Sequence, residues 1–162
     1  MPLQNSGPVR TYKQLIEYFE YTCANHLAIK QFQTGELSDI DVQTNDHPVT
    51  EYPLVFLVPR GGQVDRDGGS SVTQFDFTLF VMDISKDRED LETNRLSETH
   101  DILLDLISRI ALTAYDEVDF NIEFPVLTSS FVERFNNRLT GWAAEITFVL
   151  RAPLNLCDAA YS

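Results

Sequence analysis

Basic residues are scarce in this chain. Twelve Lys and Arg stand against 25 Asp and Glu in 162 residues, a formal net charge of −13 with a sequence pI near 4.4. Tight DNA binding through phosphate neutralisation needs clustered Lys and Arg, and no such cluster occurs, so that class of function is excluded. Cysteine is almost as rare: Cys23 and Cys157 stand far apart and outside any Cys-x-x-Cys spacing. A disulfide-stapled secreted scaffold is therefore excluded, and a reducing cytoplasm is the expected place of synthesis. No apolar run approaches the ~20 residues of a membrane span, and the opening "MPLQNSGPVR" has no apolar h-region. There is no Gly-x-Ser-x-Gly elbow, and no Walker or dinucleotide glycine signature at a strand-to-helix junction.

What the chain has is an ordinary globular composition, 43% hydrophobic and 23% charged. Its length suits one domain, residues 1–162, with a real core. Residues 1–10 are polar with two prolines and read as a flexible N-terminal arm. Residues 155–162, "NLCDAAYS", read as a C-terminal tail. Thr11 and Gln14 form a capping box that starts a helix at Tyr12. Tyr12, Leu15, Ile16, Phe19, Cys23 and Leu27 recur at steps of three and four, so this helix buries one face and runs to about Asn25 or His26. Residues 28–42 suggest a short strand or bent hairpin, and residues 43–51 a loop.

In "EYPLVFLVP" nearly every position is apolar, the mark of a strand covered on both faces or lying at a subunit contact. In "VTQFDFTLFVMD", Phe75, Phe77, Leu79 and Val81 point one way, and Gln74, Asp76 and Thr78 the other, which leaves one wet face in the first half. Between them, residues 60–71 read as a long hairpin loop rich in glycine and charge. A long helix follows: Leu96, His100, Leu103, Ile107, Ile110 and Ala114 form its stripe, it ends near Tyr115, and Asp87, Glu89 and Asp90 suit its positive N-terminal end. Val118–Phe124 and Trp142–Arg151 alternate as strands, with a further strand at 131–135 and a turn at "NNRLTG". The expected fold is α+β, an antiparallel sheet of about four to six strands with two main helices packed on one face.

Residues that could carry chemistry do not converge in sequence. His26, His47 and His100 stand alone, and His100 on a helix stripe suits a packed core position. A zinc site from Cys23, His26 and Cys157 lacks a fourth ligand. Asp76, Asp83 and Asp87 could hold a metal for hydrolysis. The lysine expected two residues after a strand acid is missing, because Glu145 leads to Thr147 and Glu123 to Pro125. No enzyme activity, cofactor or metal is expected.

The order of "TYKQLIEYFEYTCANH", the hairpin of "EYPLVFLVP" and "VTQFDFTLFVMD", the crossing helix "LSETHDILLDLISRIA", and "FVERFNNR" leading into "LTGWAAEITFVLRAP" resembles the tail-completion and tail-terminator-like proteins of tailed bacteriophages. The resemblance spans residues 11–155. It implies a structural virion protein, a subunit of a neck ring at the head-to-tail junction, made in the host cytoplasm. It further implies self-association into a ring of about six or twelve copies, contact with neighbouring portal or connector and tail proteins, and DNA that passes without specific binding. Arg60, Gly61, Gly62, Asp65, Arg66, Asp67, Gly68 and Gly69 are then the candidate inter-subunit loop, charged for ion pairs and glycine-rich for reach. An acidic channel wall would repel phosphates. The rival readings are a monomeric or dimeric adaptor offering a sheet edge to a partner strand, and a metal-dependent hydrolase.

Overall fold

Thr11 sets the first helix. In a computed structural model of the chain, which describes residues 9, 11–36, 51–68, 70–84, 90–116, 120–134 and 139–153, the Thr11 hydroxyl accepts from the Gln14 N–H at 3.2 Å. The Gln14 side chain accepts in return from the Thr11 N–H at 3.1 Å. Two of the helix's orphan donors are thus satisfied, and α1 runs Tyr12–Ala24 with Asn25 as its C-cap. It buries Leu15, Tyr18, Phe19, Thr22 and Cys23. Leu27 does not continue the stripe. Because the helix stops at Ala24, the periodicity no longer places it, and it stands 96% exposed. Val9 also departs from the expected flexible arm, for it is buried in the core beside Leu15.

Six strands follow from the alternating runs: β1 (Gln31–Thr34), β2 (Leu54–Asp67), β3 (Ser70–Ile84), β4 (Phe120–Ile122), β5 (Leu127–Arg134) and β6 (Leu139–Pro153). The long helix, α2, is Asp90–Asp116 and lies between β3 and β4. The sheet order is β1-β2-β3-β6-β4, with β5 also on β6. The sheet is mixed and not purely antiparallel, because β1 runs parallel to β2, pairing Gln31 with Leu54 and Thr34 with Leu57. Residues 35–53 are long enough for the crossover that parallel strands require, and a two-fold alternation carries no information about strand direction.

The strand parity divides the apolar residues between two layers. Val55, Leu57, Phe77, Leu79, Val81, Ala144, Ile146, Phe148 and Leu150 face α1 and α2. Leu54, Phe56, Val58, Phe80, Met82, Phe131 and Leu139 form a second cluster on the other face. Leu54–Val58 are all buried, as the continuous apolar run implied. A Cβ on Gly141 would run into the Val81 carbonyl oxygen, so the chain needs glycine where β6 crosses closest to β3.

α2 meets the helix-side layer through Thr99, Ile102, Leu103, Leu106, Ile107 and Ile110. Leu103, Ile107 and Ile110 are as expected from their spacing. Leu96 and His100 sit only half-buried at the rim, where Trp142 Nε1 donates to the Leu96 carbonyl at 2.9 Å and its ring lies 4.7 Å from His100. Asp87, Glu89 and Val118 lie outside the described residues.

Phe148 is the hub of the helix-side layer. Its ring centroid is 5.2 Å from Phe19, 5.9 Å from Phe77 and 5.6 Å from Phe120, which ties α1, β3 and β4 to β6. Phe148→Ala is expected to cost about 3–5 kcal/mol of stability in urea unfolding. Leu112→Ala, at a position 61% exposed on α2, should stay within about 0.5 kcal/mol. Equal midpoints for the two variants would remove Phe148 from the centre of the core.

Candidate assembly interface

The segment expected to be a long loop is strand almost to its tip. β2 and β3 stay in register from Gly61 opposite Asp76 to Asp67 opposite Ser70, so only positions 68 and 69 connect them. The register shifts between Pro59 and Gly61, and Gly61 has φ +125°. This is a β-bulge, which needs a residue without a Cβ and bends the strand at that point. Gly68 has φ +62°, as a tight hairpin turn demands. Gly69 lies outside the described residues. Exposed strands need no apolar alternation, so glycine and charge here conceal a strand that backbone pairing alone maintains.

The side chains of this hairpin are also engaged differently from the expected free ion-pairing loop. Arg60 Nε donates to the Thr78 hydroxyl at 2.9 Å, which lays the guanidinium along the root of the hairpin. Asp65 Oδ1 accepts from the Arg66 N–H at 2.7 Å. β6 runs beside β3 as far as Pro153 opposite Ser70, and β4 lies beyond β6 at Phe148–Leu150, so the hairpin is the outer part of a four-stranded sheet up to Val64 and a three-stranded ribbon from there to its tip. Pro59–Arg66 are exposed along its outer strand, and Val64 is 73% exposed. Tyr12 of α1 packs on the ribbon's root, 5.3 Å from Phe75 and 6.0 Å from Phe77.

A second feature that sequence spacing did not signal is a cleft of about 640 Å³ between α2 and the ends of β2 and β3. Asp83, Glu98, Asp101 and Asp105 bring four carboxylates to it, with Arg95, His26 and Tyr52. Asp83 is buried; its Oδ1 accepts from the Ile84 N–H at 2.8 Å and its Oδ2 from Arg95 Nη1 at 2.9 Å. The same Nη1 reaches Glu98 at 3.1 Å. Burial raises Asp83 above its ordinary carboxyl value, against the pull of the Ile84 N–H and the Arg95 guanidinium. Burial, and then the Asp83 charge, push the Tyr52 phenol up to about 12. His26 Nδ1 accepts from the Ala28 N–H, which leaves Nε2 to donate to Asp105 at 3.0 Å and so joins α1 to α2.

No family model and no curated protein matches this chain. Asp76 and Asp83 are seven positions apart on one continuous strand, hence on opposite faces of the sheet and about 23 Å apart along it. Asp76 instead accepts from the Thr147 hydroxyl at 2.7 Å. They do not converge on one metal. Cys23 is buried and its thiol is pushed up to about 12, while Cys157 lies outside the described residues. Among the described residues no three His, Cys, Asp or Glu side chains gather at metal-binding distance.

Asp83 sets a pH dependence whose sign follows from its raised value. The folded state holds the proton more tightly than the unfolded chain, so the stability linked to this group is full below the ordinary 3.8 and is lost as pH rises through the folded value. Asp83→Asn removes that loss, so its stability relative to the wild type should climb from about pH 4 to about pH 7. Arg95→Met should cost about 1–3 kcal/mol at neutral pH, where it strands a buried carboxylate, and less near pH 4. Urea titrations at both pH values check this; an Arg95→Met cost that shrinks as pH rises would contradict the pairing.

Proposed function

We propose that the protein is a structural virion subunit, a ring-forming connector of tail-terminator type at the head-to-tail junction of a tailed phage. The observation that carries this reading is the ribbon. The side chains of β2 from Pro59 to Arg66 are exposed and add nothing to the core that Phe77 and Phe148 form on the strands beside them, so this ordered outer strand is free to serve something outside the chain. The layout of helices and strands supports the same reading, and so does the absence of convergence among the strand carboxylates. Among the described residues no helix is long and apolar enough to cross a membrane.

The acidic balance fits a conduit that DNA traverses without sticking. Glu98, Asp101 and Asp105 follow one another along the solvent side of α2 and, with Arg95 beside Glu98, leave that surface with an excess of negative charge. Field of that sign repels phosphate. The partners on this reading are further copies of the chain, portal or connector proteins on one side and tail proteins on the other, with no cofactor. A free sheet edge also suits an adaptor that receives a partner's strand. Oligomeric state separates the two.

Native mass spectrometry with negative-stain microscopy is expected to show a discrete closed ring, favoured by moderate salt, which screens repulsion between subunits of charge −13. Shortening the ribbon in register, by replacing residues 65–72 with Asn-Gly between Val64 and Thr73, removes Asp65 and Arg66 from the exposed edge and should shift ring assembly to higher protein concentration. The fold should survive, because the rungs from Val64 and Thr73 inward are kept. A strict monomer at every concentration and salt would overturn the ring reading and leave the adaptor. A ring that assembles at unchanged concentration after the shortening would take the ribbon's tip out of the contact.

A further inference from the structure

The sheet ends in two different open margins. On one side, β2 has β1 beside it only from Leu54 to Leu57, where the Thr34 hydroxyl and the Gly35 N–H both donate to the Leu57 carbonyl, at 2.9 and 3.2 Å. From Pro59 to Arg66, β2 has β3 on one side and, among the described residues, no strand on the other. On the far side, β5 pairs β6 through Leu127 opposite Glu145 to Arg134 opposite Leu139, and no described strand lies beyond it. Leu127, Thr128, Ser129 and Ser130 are all exposed, so both faces of this stretch are wet as well as its edge. Leu127 and the nearby Phe124 are 63% and 62% exposed.

The two margins differ in how they are protected. Natural sheets blunt an open edge with charge, bulges or proline. The β2 margin has all three, in Arg60, Asp65 and Arg66, the bulge at Gly61, and Pro59. The β5 margin has Pro125 before it and gathers its charge, Glu133 and Arg134, and its register irregularity at the far end beyond Val132; between them residues 125–132, "PVLTSSFV", carry no charge in a chain that is 23% charged. An exposed, uncharged, β-prone edge is one that a strand covers in the working assembly. Within one chain the β2 margin cannot do so, since β3 and β6 stand between, and three strand spacings put the margins about 14 Å apart.

We propose that the two margins pair between copies: the Leu127–Ser130 stretch of one subunit adds as a strand to the Pro59–Arg66 edge of the next. This rests on the ring reading and specifies its contact. Each copy then gives one kind of edge and receives the other, a heterologous contact that repeats around a ring. The neutral Thr-Ser-Ser run meets the charged ribbon without like-charge repulsion, which a strongly acidic subunit otherwise faces at any self-contact. Main-chain hydrogen bonds supply the attraction, and Val64 and Leu127 add apolar area at the margins they occupy.

The test uses the full chain with Cys157→Ser, since Cys23 is buried and its thiol unreactive. Gln63→Cys places a thiol on the β2 margin and Ser129→Cys one on the β5 margin. With a short bismaleimide, a covalent dimer is expected when the two variants are co-expressed and in neither variant alone. A second pair, Val64→Cys with Thr128→Cys, moves each thiol to the opposite face of its strand and should behave alike. Crosslinking of either variant with itself would replace the heterologous contact with a two-fold one and overturn the proposal. Rings in native mass spectrometry with no crosslink from either pair would overturn edge pairing and leave the ring reading standing. A crosslinked dimer that never grows would support edge pairing while the ring reading fails, and monomer throughout would overturn both.

Discussion

β6 is the constraint on which the rest of the structure depends. Every residue from Leu139 to Pro153 has a partner on β3, while β5 and β4 take successive parts of the opposite edge, with the Glu123 N–H bonded to the Thr147 carbonyl between them. Backbone donors and acceptors buried on both sides must all be paired, and this arrangement pairs them. It also fixes which face each side chain takes, so that Ala144, Ile146, Phe148 and Leu150 meet the helices together. Because β6 is paired along all of one edge and most of the other, the outer edges among the described residues fall to β1, β4, β5 and the part of β2 beyond β1. The surfaces available for assembly follow from the pairing of one central strand.

Where hydrophobic burial dictates a residue's position, the sequence was readable. The capping box at Thr11, the apolar run Leu54–Val58, the alternation through Phe77 and the step pattern of Leu103, Ile107 and Ile110 each reflect burial, which leaves a period behind it. The ribbon was not readable, because an exposed strand buries nothing and its residues obey only the bulge and turn. Gly61 and Gly68 mark those two points, and read in isolation they look like loop. The parallel direction of β1 escaped for a related reason, since alternation is the same for either direction. The acidic cleft joins residues from the segment after α1, the residues just before β2, the end of β3, and α2, which no spacing rule connects. Residues 155–162, His47 and most of the first ten residues lie outside the described part of the chain.

Strand parity also decides how the acids are to be understood. Counting carboxylates leaves a hydrolytic site open, and a sheet with acids on a wet face offers many pairs. Once β3 is known to be unbroken, Asp76 and Asp83 fall on opposite faces, each already engaged, one by Thr147 and the other by Arg95. Asp83 in particular is occupied in holding the N-terminal half of α2 against the end of β3. A buried carboxylate with a guanidinium partner is structural in its effect, because removing either member leaves the other uncompensated. The remaining acids on α2 face solvent, where charge shapes the field around the protein more than its fold.

The chain thus combines a strongly negative surface with two unpaired sheet edges, features that pull association in opposite directions. Charge repels copies at any orientation and falls off over about 8–10 Å at ordinary salt. Edge hydrogen bonds act only at contact and only in register. Their sum disfavours every encounter except those in which the edges meet aligned, which is how a protein with open strands avoids indiscriminate aggregation. The register shift at Gly61 interrupts the β2 edge, and the Leu127–Ser130 stretch brings no charge of its own to an approaching copy. In the proposed ring, selectivity would come from repulsion everywhere else, so an acidic composition is compatible with association through strand edges.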